Sequence, residues 1–174
     1  MNNETMNHIE DSAIVHCSFQ HCSLYGLHPA TSTDQATIKA IIHANRINPM
    51  ALKWPQFVLA VTADHTIIGC GQVKPHRDGS RELASIAVLP DWRNQGIATA
   101  IINYLLTIHQ PPLWLTCSSK LIPFYQKFSF IEIKDPAQMT PYFQRIFHLS
   151  QWLVWLLKAD RYLAVMFWEG EARG

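Results

Sequence analysis

Long hydrophobic runs are missing from this chain. No stretch reaches the 18 or so consecutive apolar residues that a membrane span needs. The nearest, Trp152 to Trp168, is broken by Lys158, Asp160 and Arg161. The first 23 residues carry Glu4, Glu10 and Asp11 and no apolar h-region, so no signal peptide is read and the expected location is cytoplasmic. An excess of either charge is also missing. Lys and Arg number 14 and Asp and Glu 13, for a net +1 with no basic block, which removes the electrostatic footprint of a nucleic-acid binder.

Cysteines are few. The four, at positions 17, 22, 70 and 117, do not form the spaced framework of a small secreted domain. The segment "HCSFQHC" (His16 to Cys22) offers two His-Cys pairs for a soft metal ion. No second cluster completes four ligands, so no metal is expected. The two common phosphate fingerprints are missing as well. There is no G-x-x-x-x-G-K-S/T, and Gly69 and Gly71 lie in a strand pattern without a third glycine. Internal repeats and low-complexity segments are not found.

What is present suffices for a core: 48% of the residues are hydrophobic and 16% charged. Residues 1–22 read as a mobile leader and 23–174 as one domain with a helical insertion near 137–158. Leu24 to Ala30 reads as a strand. Ser32 and Gln35 form a capping box before a helix whose apolar side is Ile38, Ile41 and Ile42. Asn48 and Pro49 read as cap and first residue of a second, short helix. Phe57 to Ala63, Thr66 to His76 and Arg81 to Val88 are strands, the last two joined through the turn "RDGS". Ile97, Ile101, Leu105 and Ile108 mark a helix stripe, and "QPP" stops that helix. Leu113 to Cys117 is a buried strand. Ser119 to Phe128 is a helix with Pro123 in its first turn or kinking it, and Phe130 to Lys134 is a strand. Thr140 to Leu157 is a bulky helix, and Tyr162 to Gly170 a last strand. The fold class is α+β: a mostly antiparallel sheet of about seven strands with helices on both faces.

The stretch "VLPDWRNQGIATAII" (Val88 to Ile102) stands out. A helix start leaves its first N–H groups unpartnered and partially positive. Gly96 lets a ligand approach closely, and Arg93, Asn94 and Gln95 add side-chain donors. Such a turn suits a diphosphate; read by itself it also fits an ordinary helix start with a solvated arginine.

"ELASIAVLPDWRNQGIATAIINYLL" resembles motif A of the GNAT superfamily of acyl-CoA N-acyltransferases, with Arg93, Gly96 and Ala98 on its R/Q-x-x-G-x-G/A signature. "LTCSSKLIPFYQKFSFIEI" resembles the later motif of that family, which ends F-Y-x-x-x-G-F. The similarity covers roughly residues 24–134. It implies a sheet splayed between its fourth and fifth strands and acetyl-CoA, or another acyl-CoA, as co-substrate. The pyrophosphate would rest on the turn formed by Arg93, Asn94, Gln95, Gly96, Ile97 and Ala98. Pantetheine would pair like a strand with Ile86, Ala87 and Val88, satisfying backbone groups left open by the splay. Ser118 falls where the family often has an asparagine and would offer one hydroxyl contact.

The resemblance also implies the chemistry. Tyr125 would protonate the departing thiolate, which a phenol near pKa ~10 can do for a thiol near ~8.5; its alternative is a core tyrosine. Glu82 would be the general base, on the same strand face as Ala84, Ile86 and Val88 if no bulge intervenes; its alternative is a solvated carboxylate. His28 and His76 are reserve bases. The backbone N–H near Val88 would meet the oxyanion. Nothing activating flanks Cys117, so direct transfer to a primary amine in a ternary complex is expected over an acyl-enzyme. Ser129 replaces the glycine of F-Y-x-x-x-G-F, where a left-handed non-glycine residue costs about 1 kcal/mol; a differently built helix end is one expected outcome.

The acceptor amine is not legible: no acidic run marks a polycation site. The insertion, with Tyr142, Phe143, Ile146, Phe147, Trp152, Trp155 and Leu156, reads as a helix packed on the sheet, a homodimer interface, or a lid that makes an apolar acceptor pocket. Rival classes are a non-catalytic acyl-CoA sensor or scaffold on the same fold and an apolar partner-binding protein without cofactor.

Overall fold

The structure is a computed structural model that describes residues 24–157 and 161–170, the side chains of 153–157 excepted. The leader, its His-Cys pairs, and the side chains of Trp155 and Leu156 lie outside the described residues.

Seven strands form one sheet in the order β1-β2-β3-β4-β5-β7-β6. β1 (Tyr25–Pro29), β2 (Phe57–Thr62), β3 (Ile67–Pro75) and β4 (Arg81–Val88) make an antiparallel meander. β5 (Leu113–Ser118) pairs antiparallel with β7 (Leu163–Trp168), and β6 (Ile131–Glu132) pairs with the other side of β7. The two halves meet where β4 runs parallel to β5, with the single register pair Glu82 and Trp114. Beyond that pair the strands diverge, as the resemblance implied.

The inner strands are buried on both faces, which is why they read as continuous apolar runs rather than alternating ones. On one face α1 (Gln35–Ala44) sets Ile38, Ile41 and Ile42 against Phe57, Leu59, Cys70 and Ala87. On the same side α4 (Pro141–Leu157) packs Phe143 on Trp114 and Val165. The opposite face carries α2 (Ile97–Ile108) and α3 (Ile122–Gln126), over Val58, Val73, Leu83 and Leu115. The Gly69 and Gly71 of the sequence lie under α2. A Cβ added at Gly71 would sit 2.6 Å from both Ile101 Cγ2 and Ile86 Cδ1, so the helix lies directly on bare strand.

Several sequence expectations shift. The helix expected after Asn48 does not form. Asn48 Oδ1 instead accepts from the Met50 N–H at 3.0 Å, a local turn. The capping box lies one residue earlier than Ser32 and Gln35: the Asp34 carboxylate accepts from the Thr31 N–H at 2.7 Å. Gln35 is thereby released to bind the following loop, donating to Leu52 O and accepting from the Trp54 N–H. Ile108 ends α2 exposed rather than in its apolar stripe, the buried set being Ile97, Ile101, Ile102 and Leu105. The strand expected over Phe130 to Lys134 is reduced to Ile131–Glu132.

Candidate functional site

β4 leads into the Val88 to Ile102 stretch through a short 3-10 turn, Pro90–Trp92. The chain then turns left-handed twice, at Asn94 (φ +61°) and Gly96 (φ +78°), before α2 begins at Ile97. Asn94, Gln95 and Gly96 are exposed, and a Cβ placed on Gly96 meets nothing within 4 Å. The amides at the start of α2 therefore open onto free space, with the partial positive charge of a helix N-terminus behind them. The side chains behave differently from the expectation. Arg93 Nε donates to Val88 O at 3.3 Å and Nη2 to Asn45 Oδ1 at 2.8 Å. Gln95 Nε2 donates to Asp91 O at 3.2 Å. Arg93 and Gln95 thus hold the loop's shape and tie it to the end of α1, while the backbone and the Asn94 side chain lie exposed. Ala87 and Val88 pair with β3 on one side, with Ile86 in the irregularity beside them, and none of the three has a ladder partner toward β5 among the described residues.

A bulge corrects the expected placement of Glu82. Cys70 pairs with Ala87, but Gln72 pairs with Ala84, so one extra residue of β4 is accommodated. Ser85 (φ +58°) absorbs it, and its hydroxyl accepts from Gln72 Nε2 at 2.8 Å. Ile86 and Val88 consequently face α2, while Glu82 faces the α1 and α4 side. Glu82 is also not a solvated carboxylate. It is 4% exposed, with His76 Nε2 at 3.0 Å, Lys74 Nζ at 3.3 Å and the Thr116 hydroxyl donating to it at 3.0 Å. Burial pushes its pKa up, but the His76 hydrogen bond, the Lys74 charge and the Thr116 hydroxyl outweigh that and hold it below the ordinary 4.5. Tyr142 of α4 stacks on the His76 ring, centroids 3.5 Å apart. The structure thus unites two candidates read separately, Glu82 and His76. The missed partner, Lys74, was within reach of the sequence, since counting back from the "RDGS" turn puts it opposite Glu82. His28, at the far strand β1, pairs with Leu59 and is not part of this cluster.

Tyr125 lies on the other face of the sheet, on α3, packed edge-on to Phe124 and Phe130. Burial and the neighbouring Cys117 push its phenol well above the ordinary range, and no partner for its hydroxyl occurs among the described residues. Cys117 is itself pushed up to about 11 by burial and by Glu132, so its thiol stays protonated and is a poor nucleophile at neutral pH. Ser118 ends β5, half-buried, opposite Leu163. The glycine substitute Ser129 takes the left-handed conformation after all (φ +65°). Its N–H donates to Gln126 O and the Phe130 N–H to Tyr125 O, the bond pair of a Schellman close. The helix end that positions Tyr125 is therefore built in the glycine manner with a serine.

A cleft of about 450 Å³ opens between the β3–β4 hairpin and α4, beside His76 and Tyr142. No group of three or more His, Cys, Asp or Glu that could hold a metal ion occurs among the described residues, and none of the described helices is long and apolar enough to cross a membrane.

Residues 54–132 match the family model described as an acetyltransferase (GNAT) domain. No curated protein matches the sequence. Among solved structures, Rv2747 from Mycobacterium tuberculosis, determined in complex with CoA and NLQ, is 18% identical. It aligns with a TM-score of 0.59 over 80% of this chain and 96% of its own. N-acetylglutamate synthase from Neisseria gonorrhoeae, complexed with coenzyme A and L-arginine, is 12% identical, with a TM-score of 0.63 over 86% of this chain and 34% of that longer one. An acetyltransferase of the GNAT family from Bacillus cereus gives 13%, 0.56, 86% and 100%. These likenesses establish a common fold, and residues 54–132 of this chain resemble the GNAT acetyltransferase domain in sequence as well.

Proposed function

We propose that this protein transfers an acetyl group from acetyl-CoA to a primary amine by direct attack in a ternary complex. The observation that carries this reading is the exposed, twice left-handed turn at residues 93–96, opening α2 after a strand whose β5-facing edge has, among the described residues, no ladder partner beyond Glu82. The amides from Gln95 to Ala98 suit a pyrophosphate. The edge at Ile86, Ala87 and Val88, without a strand partner toward β5 although Arg93 takes the Val88 carbonyl, suits the amides of a pantetheine arm. The two solved relatives determined with coenzyme A support the same choice of co-substrate.

The gap between β4 and β5 separates two sets of groups. Tyr125 stands on the α2 and α3 face, and the cluster of Glu82, His76 and Thr116 on the α1 and α4 face. In the proposed reaction the amine arrives from the α1 and α4 side and the thiol departs toward Tyr125. Tyr125, kept protonated by its raised pKa, donates to the leaving sulfur. Glu82 is engaged on both oxygens, so it acts as a positioning group, and His76 is the group that receives the amine proton. The Val88 amide is the donor proposed for the oxyanion, and Ser118 a secondary contact to the acyl-CoA.

The rival is a binding module without turnover, favoured by the complete engagement of Glu82 among Lys74, His76 and Thr116. Calorimetric titration with acetyl-CoA tests the pocket, and thiol release across a panel of amines tests the reaction. Failure to bind acetyl-CoA removes both readings; binding without amine-dependent thiol release leaves the sensor.

A further inference from the structure

The cleft between the β3–β4 hairpin and α4 lies on the face where the amine is proposed to arrive. Pro75, His76, Arg77 and Asp78 line one side, and Tyr142 and Arg145 the other. Its charges are unequally engaged. Asp78 accepts from the Ser80 N–H at 3.1 Å, the Ser80 hydroxyl at 2.6 Å and the Tyr142 N–H at 2.8 Å. It thus caps the first turn of α4 and pins that helix to the hairpin. His76 is bonded to Glu82. Arg77 and Arg145 are both exposed, and among the described residues neither guanidinium has a hydrogen-bond or ion-pair partner. Two planar cations from different elements thus face one cavity whose nearest carboxylates, Asp78 and Glu82, are occupied. A guanidinium pair of this kind matches a carboxylate, which takes two parallel N–H bonds from each fork.

We propose that this cleft is a carboxylate subsite for the acceptor, and that Arg77 and Arg145 determine specificity for an amine bearing an acidic group. The inference rests on the acetyltransferase reading for the identity of that amine. The geometry also sets a spacing. Glu82, bonded to the lining residue His76, is four residues from Ile86, where the thioester arm is proposed to lie, a separation on the order of 13 Å along a strand. The acceptor is accordingly elongated, with its amine and carboxylate several bonds apart, rather than a simple α-amino acid.

A ladder of ω-amino acids tests this: 6-aminohexanoate, 8-aminooctanoate and 11-aminoundecanoate, each against its carboxamide, as acceptors from acetyl-CoA. At the favoured length the acid is expected to exceed its amide at least ~10-fold in kcat/KM, the scale of a charge-assisted hydrogen bond. The double substitution R77Q/R145Q brings that ratio close to one. Calorimetry with unreactive 8-acetamidooctanoate and its carboxamide reads the cleft independently of turnover. Arginine-dependent binding of the acid without transfer to any amine keeps the subsite and removes the acetyltransferase reading. Transfer to acids and amides alike, with equal binding, overturns the subsite and leaves the reaction standing. Glutarate that binds with the same arginine dependence yet leaves the amine's KM unchanged overturns the acceptor assignment in favour of a free-anion effector.

Discussion

The two ends of β4 are built on opposite principles. Past its C-terminal end, residues 93–96 are exposed, and the side chains of Arg93 and Gln95 bond back onto the protein to hold the loop, so the backbone is what would face the proposed co-substrate. At its N-terminal end the backbone lies within the sheet, and the side chains of Lys74, His76 and Glu82 form a buried ionic cluster. The contrast teaches how one strand would serve the two tasks of the proposed reaction. A diphosphate is recognised by many weak, fixed dipoles that need no titration. Moving a proton needs a side chain, and its neighbours must hold it at a set position and charge.

Breaking the buried end has the largest expected effect. Lys74→Met leaves the Glu82 carboxylate without its cation and is expected to cost about 3 kcal/mol in denaturant unfolding, the lower part of the range for an orphaned buried charge. The double variant Lys74→Met/Glu82→Gln recovers most of that loss; no recovery would mean that the two charges are not coupled. The acid limb of stability sharpens the same point. Because Glu82 titrates below 4.5 when folded, its contribution is complete above that pH and fades as pH falls toward the depressed value. Glu82→Gln removes that part of the slope in an unfolding series from pH 6 to pH 3.

At the exposed end, Gly96→Val places a β-branched residue at φ +78° and a methyl beside the helix amides. Acetyl-CoA affinity is expected to fall at least ~10-fold by calorimetry, with a loss of only about 1 kcal/mol in stability. Equal affinity would show that the backbone turn is not the phosphate site. Between the two ends, Tyr125→Phe lowers turnover ~10-fold or more where chemistry limits the rate; unchanged turnover excludes the phenol as the acid. The smallest change is a gain. Ser129→Gly relieves the left-handed serine and raises stability by about 0.5–1 kcal/mol, roughly 2–4 °C in Tm at the upper figure.

The strand and helix positions that bracket the turn were legible because they are local. β4 begins and ends where the pattern puts it, and α2 starts at the residue after Gly96. What escaped depends on distant partners. The Ser85 bulge exists because β3 and β4 fall out of step between Cys70 and Gln72, and nothing in "ASIAV" announces it. Its effect is to turn Glu82 to the face opposite Ile86 and Val88. The stacking of Tyr142 on His76 joins residues far apart in the chain. The insertion containing Tyr142 packs on the sheet through Phe143 and roofs the ionic cluster, while Trp152 points away, 57% exposed. The false helix at Asn48 arose from a cap signal without an apolar stripe behind it.

The absent side chain at Gly71 has a consequence at some distance. With no methyl there, α2 settles against naked strand, held by Ile101 and bordered by Ile86. The first turn of that helix is also the lip of the open loop. A single carbon inserted under the middle of the rod would lift it and swing its mouth away from the strand edge beside it. The alignment of the two proposed grips on the co-substrate, one at residues 86–88 and one at 95–98, is therefore gauged by a hydrogen atom on the neighbouring strand.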